Sequence, residues 1–161
     1  SSAASDVYKR QLLDPDKGSK VKVIGAGGTA RAAIGALAGS VTEIDVHLKN
    51  ESRKSAILKA AGSTRVNFRS MDEIDPSGDI IISTVPRGVL DQYCENFGDG
   101  SGILLDAIYN PWPTKAASLW GGKVISGFEL LVEQAMYQIT FMTGQDFNYH
   151  LMRGHLLSVI K

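Results

Sequence analysis

Gly25-Ala26-Gly27-Gly28-Thr29-Ala30 is the stretch whose residue types and spacing most directly suggest chemistry. It fits G-x-G-x-x-A, a turn that brings backbone N–H groups up to the pyrophosphate of a dinucleotide. Gly25 lets the chain turn sharply out of a strand. Gly27 has no Cβ, so a phosphate can approach the backbone, and Ala30 lets the following helix lie close on the sheet. The apolar run Val21, Val23, Ile24 precedes the turn, and Ala30, Ala33, Ile34 and Leu37 follow at i, i+3, i+4, i+7. A strand leads in and a helix leads out, so the helix N-terminus would face the phosphates; a merely structural glycine turn is the plainer alternative.

The second candidate lies where the adenosine ribose of such a ligand must sit. An acidic residue about 20 positions beyond the glycines would hold a ribose 2′-hydroxyl. This chain instead has Lys49, Asn50, Glu51, Ser52, Arg53 and Lys54. Cations and small hydrogen-bonding groups suit a 2′-phosphate, so NADP is the expected cofactor; a solvated helix start is the plainer alternative. Further on, Thr84, Val85 and Pro86 leave the end of an apolar strand, where backbone could contact a nicotinamide ribose. A simple Pro/Gly turn would look the same. Gln134 sits among Leu130, Leu131, Gln138 and Phe141 on a long helix, off the polar strip of Glu129, Glu133 and Thr140. It bonds either to nearby backbone or to a polyhydroxylated ligand.

Other chemistries find little support. His150 and His155 miss the i, i+4 spacing of two ligands on one helix face, and no metal site is expected. His47 reads as a packed residue, and Cys94 has no activating partner. There is no G-x-S-x-G elbow and no basic–aromatic stripe for nucleic acid.

The 161 residues suit one domain, and an apolar fraction of 43% suffices for a core. Seventeen basic residues balance seventeen acidic ones, which gives no reason to expect nucleic acid or an anionic membrane as partner. A single cysteine fits a reducing cytoplasm. No apolar run reaches the roughly 18–20 residues of a membrane span. Residues 1–11 read as a disordered leader, and 12–161 as one nucleotide-binding domain.

Periodicity predicts strands at 21–24, 43–48, 64–68, 79–84, 103–108 and 123–126. It predicts helices at 30–37, 51–61, 89–97, 115–120, 128–143 and 149–160, with Gly127 opening the long one and Gly144 stopping it. The alternation defines an α/β, Rossmann-like, doubly wound and mostly parallel sheet with helices on both faces.

Five segments in this order, GAGGTARAA, LKNESR, ISTVP, DAIYNPWPT and GFELLVEQA, resemble the C-terminal, NADP-binding domain of shikimate dehydrogenase. The last is similar to the form found in actinobacterial members. The resemblance runs from about Leu12 to Gly144 or beyond. It implies that Gly25, Ala26, Gly27, Gly28 and Thr29 bind the pyrophosphate. In the family's N-R-T-x-x-R clamp, Leu48 stands at the Asn position, Lys49 at the first Arg, Asn50 at Thr and Arg53 at the last Arg. Lys for Arg loses a planar fork that can stack on adenine. Ala107 and Gly127 match positions that line the nicotinamide through backbone. Tyr109 and Gln134 match the two residues this domain offers to shikimate.

The family's N-terminal substrate domain, with its catalytic Lys–Asp pair, has no counterpart here. Neither a K-x-N-x-T-x-P-x-K-like nor an N-T-D-G-like segment occurs, and Asp6 has the wrong neighbours. No catalytic residue is therefore expected in this chain, which reads as a fragment. The implied activity is reduction of 3-dehydroshikimate by NADPH, in the pathway to aromatic amino acids. A quinate or amino-shikimate dehydrogenase, a glutamyl-tRNA reductase and a non-catalytic NADP-binding module are the alternatives. The Y-N-P-x-x-T segment and Gln134 argue against the reductase.

Overall fold

The computed structural model describes residues 12–145 and 147–159. The expected leader, 1–11, and the expected end of the last helix at Ile160 lie outside the described residues.

A six-stranded sheet carries the molecule: β1 (Val21–Ile24), β2 (Glu43–His47), β3 (Arg65–Arg69), β4 (Ile80–Ser83), β5 (Ile103–Asp106) and β6 (Lys123–Ser126). Its order is β3-β2-β1-β4-β5-β6, and every pairing is parallel. The strand order reverses between β1 and β4, the place where open α/β sheets take their ligands. The α-helices are α1 (Gly28–Leu37), α2 (Lys54–Ala61), α3 (Lys115–Leu119), α4 (Gly127–Thr143) and α5 (Tyr149–Val159).

One sheet face packs against α1, α2 and α4. Ala30, Ala33, Ile34 and Leu37 of α1 are all buried there with Val21, Val23, Ile44, Val46, Ile80 and Ile82, as the spacing predicts. The other face is apolar only in part. Across one rung the residues run Asn67, Asp45, Lys22, then Ile81, Leu104, Val124. The apolar half lies under Phe97, Trp120 and Ala116, with Phe97 and Trp120 edge to face at 5.4 Å. On the polar half, Lys22 Nζ meets Asp75 at 2.7 Å and Asn67 donates to Asp45 at 2.9 Å. Lys22 is thus satisfied from the loop before β4, and Asp45 from the neighbouring strand.

Two expected helices differ. Residues 89–97 form no α-helix; the segment holds 3-10 turns at Leu90–Gln92 and Phe97–Asp99. Leu90, Cys94 and Phe97 are buried as helical spacing requires. However, the bonds are short-range, Tyr93 N to Leu90 O at 2.9 Å and Phe97 N to Cys94 O at 3.2 Å. A Cβ at the adjacent Gly100 would collide with the Trp120 ring, so packing on that ring holds the chain close. The helix expected at 51–61 starts as a 3-10 turn, Glu51–Arg53, because Asn50 Oδ1 accepts from Ser52 N at 3.0 Å and tightens the entry.

Candidate nucleotide-binding site

The strands deliver their C-terminal ends in register. His47, Ile24, Ser83, Asp106 and Ser126 share one rung. The next residues in each chain segment are Leu48, Gly25, Thr84, Ala107 and Gly127, all of them positions expected to line the cofactor. The ladder continues for one more step: Gly25 N donates to His47 O, Thr84 N to Ile24 O and Ala107 N to Ser83 O, each at 2.9 Å. Five expected positions, running in sequence from Gly25 to Gly127, thus form one row along the sheet edge, set by the sheet's register.

At the β1–α1 turn Gly25 has φ 113°. A Cβ there would run into Thr84 Oγ1, whose hydroxyl donates to Ile24 O at 3.0 Å. Gly25 is required by its conformation and by the close approach of β4. Gly27 differs: its φ is −80°, and a Cβ would meet nothing within 4 Å. It leaves open space. No side chain caps the first turn of α1 and no acidic residue lies in it. Its leading N–H groups therefore point outward without a side-chain partner, and Gly27, Gly28 and Thr29 are exposed. Ala26 and Thr84 are half-buried, as is Val85, while Pro86 is exposed. This donor set fits a pyrophosphate.

At the end of β2 the expected clamp divides. The Leu48 side chain belongs to the core and brings no polar group outward. Asn50 Oδ1 is occupied by Ser52 N and Ser52 Oγ, at 3.0 and 2.7 Å. Lys54 pairs with Glu51 at 2.7 Å. Among the described residues Lys49 and Arg53 have no acidic partner. Lys49 Nζ lies 6.0 Å from the Tyr93 ring centroid. Lys49 and Tyr93 border a cavity of about 400 Å³ that Leu48, Phe68 and Ser70 also line. Lys49, without an acidic partner among the described residues, gives this cavity a cation that can take an anion; Arg53 does not line it.

On the other flank, a Cβ at Gly127 would collide with Ala107 O, so α4 starts in backbone contact with the β5 end. Ser126 and Glu129 form a capping box there, which the S-x-x-E spacing could have revealed. Tyr109 is 49% exposed, its ring 5.6 Å edge-on from Phe128. Gln134 is half-buried, seven residues along α4 from Gly127 and so about 10 Å away on the same face. No hydrogen bond reaches its side chain from any described residue. The backbone partner considered for it is not there.

Glu133 departs from its expected place on a polar strip. It is 1% exposed and accepts from Tyr149 Oη at 2.7 Å and Arg153 Nε at 2.8 Å. It anchors α5 to α4. Burial, then the Glu133 carboxylate, push the Tyr149 phenol up to about 12. His47 is buried, with Nδ1 2.9 Å from Ser70 O; burial lowers its pKa and keeps the ring neutral, in line with a packed residue. Burial raises the Cys94 thiol, which disfavours the thiolate.

A larger cavity lies elsewhere, over the polar half of the second sheet face, lined by Lys22, Asp45, His47, Arg69 and Asp75. No group of three or more His, Cys, Asp or Glu among the described residues is placed to hold a metal ion. No described helix is long and apolar enough to cross a membrane.

Fold, switch point and glycine turn define a Rossmann-like nucleotide-binding architecture. No protein-family model matches the sequence. Individual proteins do, shikimate dehydrogenases among them, as the sequence motifs suggested. The chain is 32% identical to the NADP(+) shikimate dehydrogenase of Methanosarcina acetivorans, over 90% of this chain and 57% of that protein. The crystal structure of shikimate dehydrogenase from Mycobacterium tuberculosis superposes with a TM-score of 0.83 at 30% identity, covering 97% of this chain and 61% of that one. A shikimate 5-dehydrogenase from Mycobacterium fortuitum gives 0.80 at 29% identity, covering 94% and 60%. The chain thus spans about three-fifths of the relatives it matches.

Proposed function

We propose that this chain is the cofactor-binding part of an NADP-dependent shikimate dehydrogenase. The first turn of α1 receives the pyrophosphate on its N–H groups. Lys49 and Arg53 hold the 2′-phosphate, with the Asn50 amide nitrogen, which has no partner among the described residues, beside them; Lys54, already paired with Glu51, stands aside. The Ala107 and Gly127 backbone seats the nicotinamide, and Tyr109 and Gln134 face shikimate. When bound, reduced nicotinamide supplies the hydride for the 3-dehydroshikimate carbonyl. The domain's own work is to orient and to stabilise charge. The Lys–Asp pair that the resemblance assigns to the other domain completes the reaction, so these residues alone bind NADP(H) and turn over little.

The observation that supports this reading most is the single row of Leu48, Gly25, Thr84, Ala107 and Gly127 beyond one rung, at the switch point. Calorimetric titration with NADPH and with NADH tests it. NADPH should bind at least about tenfold tighter, about 1.4 kcal/mol. A folded chain by circular dichroism that binds neither would overturn the reading. Shikimate-dependent NADPH formation at about 1 s⁻¹ or faster would overturn the division of labour.

A further inference from the structure

β5 is apolar until its last residue, Asp106, which is 2% exposed. Its carboxylate has no cationic partner among the described residues. It accepts from Ile108 N at 3.2 Å and from the Thr114 hydroxyl at 2.7 Å, and the Ser83 side chain also hydrogen-bonds to it. Thr114 Oγ1 in turn accepts from Ala117 N at 3.1 Å, as the N-cap of α3. Ile108 is gripped from both sides, because its carbonyl accepts from Gly127 N at 3.2 Å. One buried carboxylate therefore joins β4, the start of the 107–114 loop and the start of α3, and through Ile108 the start of α4.

Burying a carboxylate without a counter-charge is costly, and hydrogen bonds to it offset part of that cost. Burial raises the Asp106 carboxyl above the usual range, with the hydrogen bonds from Thr114, Ile108 and Ser83 acting against that. Of the groups it holds, Ile108 lies directly between Ala107 and Tyr109, and Thr114 closes the far end of the same loop. Resting on the reading above, we infer that Asp106 and Thr114 are positioning residues: they form a brace that sets Ala107 against the nicotinamide and Tyr109 towards the substrate. The pyrophosphate turn and the Lys49–Arg53 end owe nothing to them.

The test compares two ligands on the purified chain: NADPH, and 2′-phospho-ADP-ribose, which has the same adenosine and phosphates but no nicotinamide. Thr114→Val removes the hydroxyl from both of its bonds, and Thr114→Ser keeps it. Thr114→Val should weaken NADPH about tenfold while 2′-phospho-ADP-ribose changes less than about twofold. Thr114→Ser should return NADPH to within about twofold of the parent. Equal losses on both ligands, no loss on either, or no rescue by Ser would overturn the brace. If Thr114→Val does not fold, Asp106→Asn, which keeps the shape and one acceptor, should show the same ligand-selective loss, and an unselective loss would overturn the brace. A folded parent chain that binds neither ligand would overturn the nucleotide reading, and the brace with it.

Discussion

The two flanks of the switch point are built by different means. On the β1 side, the 25–29 turn is made of backbone: a positive φ at Gly25, open space at Gly27 and uncapped N–H groups on α1. On the β5 side, the 107–114 loop is held by side chains, with Asp106 and Thr114 reaching each other across the loop they delimit. A backbone-made turn needs the absence of atoms. A side-chain-made loop needs particular atoms eight residues apart (|i−j| = 8). The first kind fails through crowding, the second through an unsatisfied buried group.

The largest effect should come from Gly25→Ala. It combines a strained φ with a clash against Thr84, and should cost roughly 3 kcal/mol or more, read from urea midpoints. A cost under about 1 kcal/mol would mean that the turn relaxes freely and the contrast fails. Gly127→Ala meets backbone at Ala107 without a positive φ, so about 2 kcal/mol is expected. This variant asks whether the side-chain-held flank is also intolerant of crowding. Gly27→Ala sharpens the distinction between fold and ligand. Its stability cost should stay within about 1 kcal/mol, while NADPH affinity falls at least about tenfold; equal tolerance in both assays would remove Gly27 from the site.

The smallest effect concerns pH, which acts on side-chain ties and leaves a backbone turn alone. The Tyr149 phenol is raised from 10.0 to about 12. Its contribution is therefore complete below about pH 10 and lost as pH rises through about 12. Denaturation at several pH values, parent against Tyr149→Phe, should show the parent's advantage shrinking over that window. An advantage that does not change with pH would mean that Glu133 does not hold the neutral phenol.

The apolar strands, the helix from Ala30 to Leu37, the capped helix that ends at Gly144 and the glycine turn were legible because each depends on neighbours a few residues away. Period, capping and permitted φ are local properties, and local physics is written in order along the chain. The resemblance then named positions at five of the six strand ends, yet it could not say which of their side chains were free. Lys54 looks like Lys49 in composition, but Glu51, three residues before Lys54, neutralises that one and leaves the other. Glu133 looks like a surface residue until Tyr149 and Arg153, supplied by another helix, close over it. The 89–97 segment has helical spacing and forms tight turns instead, because Trp120 packs on Gly100. For Glu133 and for the 89–97 segment the outcome rests on contacts between residues far apart in sequence, whose distances are set only when the sheet and its layers assemble. The row of cofactor positions at the sheet edge is the same kind of result: the residues are named by the sequence, and their alignment comes from strand register.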